Sequence, residues 1–294
     1  MMGNSSQKAV LIISTLDTKG VETLYLRDKI KSLGVNPLLM DISMRGKGES
    51  PADITPAQVA EAGGSSLEEI HASRERSKNT NITIMGASKI AGDLFSEGKL
   101  DGVIAMGGST GSLMATEVMR SLPFGVPKLM ISSTAALPGL STRYIGTGDI
   151  ILFHSVIEIS GVTDLLKNVM DRAACALAGM VQGEVTSSRD ETAKAIAMTM
   201  LGPCEQCASA VRKILEGSGY QVTGFSAAGI SDRAMEEMMA NGLFRGVVDL
   251  APGGVGEHLF GFMRDAGPHR MEAAGNAGVP QVISTCSVNH MTPS

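Results

Sequence analysis

Asp101-Gly-Val-Ile-Ala-Met-Gly-Gly-Ser-Thr-Gly-Ser-Leu-Met-Ala-Thr116 is the stretch of sequence that decides the fold. Its apolar run from Val103 to Met106 predicts a buried strand, and a helical pattern begins at Leu113. A glycine-rich turn between them would direct backbone N–H groups and a helix N-terminus towards an anion, most often a phosphate. Residues 107–112 match neither GxxxxGK[ST] nor GxGxxG, so a tight turn with a capping serine is the alternative interpretation.

The composition is that of an ordinary globular protein. A chain of 294 residues is longer than one core usually supports, which predicts two domains. The net charge of −5, with no basic stretch, argues against nucleic-acid partners. The sequence contains no apolar run of transmembrane length, no signal-peptide pattern and no disulfide framework among its four cysteines. We therefore expect a cytoplasmic protein without a membrane partner.

Strand and helix patterns alternate along the first half of the chain. Alternation of this kind predicts an α/β fold with a mainly parallel sheet covered on both faces. The predicted strands are residues 9–14, 37–42, 103–106, 128–132 and 150–156. The predicted helices are residues 22–33, 56–62, 82–97 and 162–181, followed by a helix from Leu113 in the opening stretch.

The second half repeats the pattern of the first. Lys8-Ala-Val-Leu-Ile-Ile13 is similar to Lys194-Ala-Ile-Ala-Met-Thr199, and Gly125-Val-Pro-Lys-Leu-Met-Ile-Ser132 is similar to Gly278-Val-Pro-Gln-Val-Ile-Ser284. With two further matches in the same order, this predicts two tandem Rossmann-like domains, at residues 1–182 and 193–294. Chance similarity between generic strands is the alternative.

The second copy has no counterpart of the strand and long helix that follow Ser132. We therefore expect the second domain to be incomplete. Either the chain is a fragment, or a partner subunit completes the domain in a homo-oligomer.

Five segments rich in Ser, Thr and Gly are interpreted as the loops that follow the strands, namely residues 14–20, 41–47, 107–112, 132–139 and 144–149. Ligands bind at that edge of an open parallel sheet, so these segments predict a phosphate-binding site. Its glycine turn would surround phosphates, Thr18 and Lys19 would make a second phosphate contact, and Thr147 and Asp149 would lie near a ribose or Mg²⁺. The candidate residues are Thr15, Asp17, Thr18, Lys19, Arg45, Gly107, Gly108, Ser109, Thr110, Gly111, Ser112, Ser133, Thr134, Gly146, Thr147, Gly148 and Asp149. Simple capping roles for Asp17 and Asp149 are the alternative.

No catalytic or metal-ligating set stands out in the sequence. The histidines, serines and aspartates show no recognisable nucleophile spacing, so catalytic residues stay unassigned and no metal cluster is predicted. Cys204-Glu-Gln-Cys207 opens a helix with the spacing of a redox motif. The surrounding repeat does not resemble a thioredoxin fold, so we favour a chance helix start.

Several motifs together resemble one known family, namely that of the tomato protein that blocks tomato mosaic virus replication and its microbial relatives. The motifs are Ser14-Thr-Leu-Asp-Thr-Lys-Gly-Val-Glu22, the turn at residues 107–112, Ile145-Gly-Thr-Gly-Asp149, Gly202-Pro-Cys204, Gly242-Leu-Phe-Arg-Gly-Val-Val-Asp-Leu250 and Ala266-Gly-Pro-His-Arg-Met-Glu-Ala-Ala274. The resemblance covers nearly the whole chain and implies two tandem Rossmann-like domains, with ATP bound by the first. It also implies that the shared region normally continues beyond Ser294. Plant members bind viral replication proteins, a property that we do not transfer to this chain.

We therefore expect the first domain to bind ATP, with Mg²⁺, through the turn at residues 107–112. Two alternatives stay open. One is an enzyme that acts on a phosphorylated or carboxylated small-molecule substrate in a cleft between the domains. The other is a non-enzymatic interaction protein that the nucleotide stabilises.

Overall fold

The computed structural model describes residues 7–45, 51–184, 194–288 and 290–292. The chain divides into two compact units, residues 1–184 and residues 185–294. Residue 193, the predicted start of the second domain, lies outside the described residues, as do residues 46 and 47 of one predicted loop. No helix in the described ranges combines the length and the apolar character needed to cross a membrane.

The first unit is built on a five-stranded, fully parallel sheet in the order β2-β1-β3-β4-β5. Its strands are β1 (Ala9–Ser14), β2 (Asn36–Asp41), β3 (Gly102–Gly107), β4 (Lys128–Ser132) and β5 (Ile151–His154). Every residue of β1, β3 and β4 is buried, because helices cover both faces of the sheet. The predicted α/β class is confirmed.

The described residues of this unit form seven helices. They are α1 (Leu16–Ser32), α2 (Pro56–Ala62), α3 (Leu67–Ala72), α4 (Arg76–Ser96), α5 (Ser109–Arg120), α6 (Leu140–Ile145) and α7 (Asp164–Gln182). Side chains of α1 and α7, such as Leu26 and Met170, pack against one face of the sheet. Side chains of α2, α4 and α5, such as Val59, Ala87 and Met114, pack against the other.

Three helices begin earlier than the sequence predicts. α1 begins at Leu16 rather than at residue 22, α4 at Arg76 rather than at residue 82, and α5 at Ser109 rather than at Leu113. The first turns contain Ser, Thr, Asn or Gly, which are weak helix formers, so the apolar pattern starts only in the second turn. Tertiary contacts overcome this low propensity. The amide of Leu16, for example, donates a hydrogen bond to Asp41 Oδ1 over 3.1 Å.

The second unit repeats the strand order of the first, with a four-stranded parallel sheet in the order β7-β6-β8-β9. Its strands are β6 (Ala195–Met200), β7 (Gln221–Ser226), β8 (Gly246–Asp249) and β9 (Gln281–Ile283). A 3-10 turn at Gly202–Cys204 leads into α8 (Glu205–Gly217), and α9 (Ile230–Ala240), α10 (Gly254–Phe260) and α11 (Ala273–Asn276) follow. The described residues of this unit contain no counterpart of β5 or α7.

A close contact between α2 and α4 fixes the relative position of these two helices. Gly86 of α4 lies so near α2 that a Cβ atom there would be 1.9 Å from the carbonyl oxygen of Val59. Gly92, in the same helix, has open space at the corresponding position. Of these two glycines, Gly86 is the one that the packing of the helices requires.

We predict opposite effects for alanine at these two glycines. Gly86→Ala should lower the free energy of unfolding by about 2 kcal/mol or more, because α2 and α4 must separate. Gly92→Ala should raise it by roughly 0.5–1 kcal/mol, because alanine loses less backbone entropy on folding. Denaturant titration of both variants checks this, and equal effects at the two positions would contradict the packing.

The second unit contains a buried cluster of one arginine and three carboxylates. Arg270 Nη2 is 2.7 Å from Asp249 Oδ1 and 3.4 Å from Asp232 Oδ1, and Arg270 Nη1 is 2.7 Å from Glu236 Oε1. Burial raises the pKa of Asp232 from its ordinary value of 3.8 to about 6. Arg270 and the amide of Gly229 oppose this rise, whereas Asp249 adds to it.

The pKa of Asp232 predicts that the second unit loses stability as the pH rises. The folded state holds this proton more tightly than the unfolded state, so its stabilising effect is complete below pH 3.8 and is lost above pH 6. The loss should be roughly 3 kcal/mol. Hydrogen exchange of the β6 and β8 amides at pH 4 to 7 measures it. The Asp232→Asn variant should not show this loss of stability. Parallel plots of stability against pH for the native protein and the variant would refute the prediction.

Candidate functional site

A cavity of about 970 Å³ opens in the first unit, next to the segments that follow β1 and β3. The chain leaves β1 towards β2 on one side and returns to β3 on the other, so the cavity lies at the topological switch point of the sheet. Its size is typical of a small-molecule site. The lining residues are Thr15, Asp17, Thr18, Lys19, Met44, Arg45, Ile70, His71, Ser73, Arg74, Arg76, Asn79, Gly108, Ser109, Thr110, Gly111 and Met114.

The start of helix α5 forms one wall of the cavity. β3 ends at Gly107, Gly108 caps the helix with extended backbone, and Ser109 is the first helical residue. The amide of Ser112 donates to the carbonyl of Gly108, closing the first turn. No acceptor in the described part of the chain receives a hydrogen bond from the amides of Ser109, Thr110 or Gly111. These three donors at the positive end of a helix can bind an anion.

The two glycines before α5 serve different purposes. A Cβ atom at Gly107 would lie 3.2 Å from Gly111 Cα, so a side chain there would disturb the turn. At Gly108 the nearest atom to such a Cβ is Ser133 Oγ, at 3.9 Å, and φ is −80°. The fold therefore tolerates a side chain at Gly108, and its absence leaves room on the cavity side.

Ser112 is buried behind the turn at residues 107–112 and is not among the residues that line the cavity. Its side chain is fully buried, and Oγ donates to Ser132 Oγ over 2.7 Å. Thr134 Oγ1 is in turn 2.8 Å from the hydroxyl oxygen of Tyr144. The predicted phosphate contact by Ser112 is corrected on this point, because the extra helical turn at Ser109 rotates it into the core. Ser133 and Thr134 likewise lie outside the set of lining residues.

The first turn of α1 contributes side chains rather than amides. Its Leu16 and Asp17 amides already donate to Asp41 Oδ1 and Ser43 Oγ. Thr15 and Thr18 line the cavity, and their hydroxyl oxygens are 3.0 Å apart. Lys19 also lines it and donates through Nζ to the carbonyl of Ile159.

Helices α3 and α4 contribute a basic wall that the sequence interpretation missed. Arg74 and Arg76 line the cavity, and Arg76 Nη2 donates to Thr110 Oγ1 over 3.0 Å. The run Arg74-Glu-Arg76-Ser-Lys78 was the available signal. Residues 43–80 are mostly polar in sequence, which is typical of a connection between strands, so the sequence alone does not place these arginines at a binding site.

The charge of the cavity is opposite to that of the chain. Among the lining residues that the structure describes, four carry a cationic side chain, namely Lys19, Arg45, Arg74 and Arg76, and one carries a carboxylate, Asp17. The whole chain carries a net charge of −5. This local excess of positive charge raises the concentration of anions at the start of α5.

The segment with Gly146, Thr147, Gly148 and Asp149 does not belong to this site. It precedes β5 rather than following a strand, so it lies at the opposite, amino-terminal edge of the sheet. There Asp149 Oδ1 is 2.7 Å from Nζ of the buried Lys128, the first residue of β4. The structure therefore corrects the predicted grouping, because it does not bring Thr147 and Asp149, the residues predicted near a ribose or Mg²⁺, to the cavity beside the glycine turn.

The corresponding position in the second unit is filled by protein. A Cβ atom at Gly254, near the start of α10, would lie 2.3 Å from Ala266 Cβ. Arg270 and Thr199 both donate to Asp249 Oδ1 at the end of β8. Glycines in this copy of the turn thus serve packing.

The cysteine pair of the second unit lacks redox geometry. Cys204 is buried, and its Sγ donates to the carbonyl of Leu201 at 3.1 Å. Burial raises the pKa of this thiol, whereas a reactive cysteine needs a lowered one. Cys207 is exposed on α8.

Comparison with known proteins gives a consistent family. The model of the uncharacterised protein family (UPF0261) N-terminal domain matches residues 8–186, and that of its C-terminal domain matches residues 193–294. A UPF0261 protein from Clostridium tetani is 34% identical over 94% of this chain and 68% of its own length. A UPF0261 protein from Brucella suis is 30% identical over 98% of this chain and 69% of its own.

A plant relative and a solved structure complete the comparison. The ToMV resistance protein Tm-1(GCR237) of Solanum lycopersicum is 31% identical over 95% of this chain, which spans only 39% of that protein. A structure of UDP-N-acetylglucosamine 2-epimerase from Rickettsia bellii is 10% identical, covers 94% of this chain and 78% of its own, and has a TM-score of 0.33, too low to support an argument. From the two domain matches and the bacterial relatives we conclude that the chain belongs to the UPF0261 family.

Proposed function

We propose that the first unit binds ATP, with its phosphates at the start of α5. The observation that carries this proposal is the coincidence of three amides without a protein acceptor and four cationic side chains around one cavity. A single phosphate needs fewer counter-charges, so this number favours a polyphosphate. The family resemblance of the sequence supports adenosine triphosphate in particular.

The residues divide into roles along the cavity. Amides of residues 109–111 and the hydroxyls of Ser109 and Thr110 bind phosphate oxygens. Arg76 already contacts Thr110, so its guanidinium lies next to those oxygens and can bind them in a bidentate manner. Lys19 reaches a ligand by exchanging the Ile159 carbonyl for a phosphate oxygen.

The oxygen donors of α1 fit a magnesium ion. Asp17 with the hydroxyls of Thr15 and Thr18 supplies the hard ligands that Mg²⁺ prefers alongside phosphate oxygens. When bound, the ion would neutralise part of the phosphate charge. The predicted homo-oligomer and the cytoplasmic location stay predictions.

A calorimetric titration with ATP and Mg²⁺ tests the proposal. The protein should bind one ATP in the first unit, and Gly108→Val should weaken binding at least about tenfold, because valine fills the space over the free amides. The valine suits the φ of −80° and meets no atom closer than 3.9 Å at Cβ, so the fold should persist. Gly179→Val, on the exposed face of α7, is the control. Absence of heat with the native protein, or equal binding by the Gly108 variant, would refute the proposal.

A second titration separates the local role of Arg76 from net charge. Arg76→Ala should weaken ATP binding by about tenfold and lower its salt dependence, because a charge-assisted hydrogen bond is lost. Lys89→Ala removes the same charge from an exposed position on the same helix and should bind ATP like the native protein. Equal losses in both variants would show that only overall charge matters.

A further inference from the structure

Asn79 lies at the corner between α3 and α4, and two hydrogen bonds fix the orientation of its amide. Its Nδ2 donates to the carbonyl of Ile70 over 2.9 Å and to the carbonyl of Ser73 over 3.4 Å. Both partners are acceptors, so the nitrogen must face them. Oδ1 therefore points away from this corner.

Asn79 Oδ1 is an acceptor without a protein donor. No group in the described part of the chain donates a hydrogen bond to this oxygen. The backbone of Asn79 is paired, because its N–H donates to the carbonyl of Glu75 and its carbonyl accepts from Thr83 Oγ1. Only 8% of the residue is exposed, and Asn79 is among the residues that line the cavity. A ligand in the cavity can therefore supply the donor that the protein does not.

Apolar side chains also line the cavity that Asn79 lines, and such side chains suit a flat ring. Ile70 and Met114 are almost fully buried and line the same cavity, together with Met44. Thr80 Oγ1, one residue after Asn79, is 3.9 Å from the sulfur of Met44. A phosphate would be repelled by the carbonyl-type oxygen, whereas a ring with an amino group would pair with it.

We propose that Asn79 Oδ1 accepts a hydrogen bond from the 6-amino group of adenine and thereby sets the base specificity of the site. The inference rests on the proposed binding of ATP. Ile70, Met44 and Met114 pack on the ring, while Arg76, one turn before Asn79 on the same helix, faces the phosphate end at Thr110. A 6-oxo base places a second acceptor opposite Oδ1 and leaves both oxygens unpaired.

The test compares three purine triphosphates that differ in the group at position 6, and ITP also carries a proton on N1. ATP carries an amino group, purine riboside triphosphate carries hydrogen, and ITP carries oxygen. Calorimetry on the native protein should show ATP binding about tenfold more tightly than either analogue, the effect of one buried hydrogen bond. Because this series uses the native protein, its result does not depend on whether a variant folds.

Variants then assign the preference to Asn79. Asn79→Leu should lower the ratio of ATP to purine riboside triphosphate affinity to about one. Asn81→Leu, at an exposed position on the same helix, should keep the native ratio. Loss of affinity for all three ligands with an unchanged ratio would indicate a structural role and overturn the inference.

The two proposals fail in different ways. If none of the three triphosphates binds, the ATP proposal is wrong and the inference falls with it. If all three bind the native protein equally, ATP binding stands and the role of Asn79 is overturned. Preference for ITP over ATP would also overturn it.

Discussion

The turn from β3 into α5 is tightly packed at Gly107, and the architecture of the site depends on this constraint. A Cβ atom there would approach Gly111 Cα to 3.2 Å, so a side chain would push the first turn of α5 away from the end of β3. The buried hydroxyl contact between Ser112 and Ser132 holds the helix start against the end of β4. Three amides are left facing a cavity as a consequence, at the switch point of a parallel sheet.

Cationic side chains lie around the cavity that the free amides line. The start of α4 and the segment before it bring Arg76 and Arg74 to the cavity that the free amides line, and the contact between α2 and α4 at Gly86 fixes the position of α4. The second unit has the same strand order, yet its corresponding position is occupied by Arg270 and Ala266. One strand order thus occurs twice in the chain, with a cavity lined by cationic side chains in the first copy and a packed position in the second.

The sequence predicted the strands well, because β1, β3 and β4 are buried on both faces and appear as continuous apolar runs. The first residues of the helices were harder to predict, because Ser, Thr and Gly in a first turn resemble a loop until the tertiary contacts are known. Asp149 was misplaced because chain order alone does not tell whether a loop enters or leaves a strand. Arg76 was missed because its role depends on a contact with Thr110, 34 residues away in the chain.

The central claim is that the amides at residues 109–111 bind the phosphates of a nucleotide. A crystal structure of the protein with Mg²⁺ and a non-hydrolysable ATP analogue tests it most directly. The account predicts phosphate oxygens within hydrogen-bond distance of these amides, with Arg76 beside them. Phosphates bound at the opposite edge of the sheet, near Asp149, or in the second unit would contradict it.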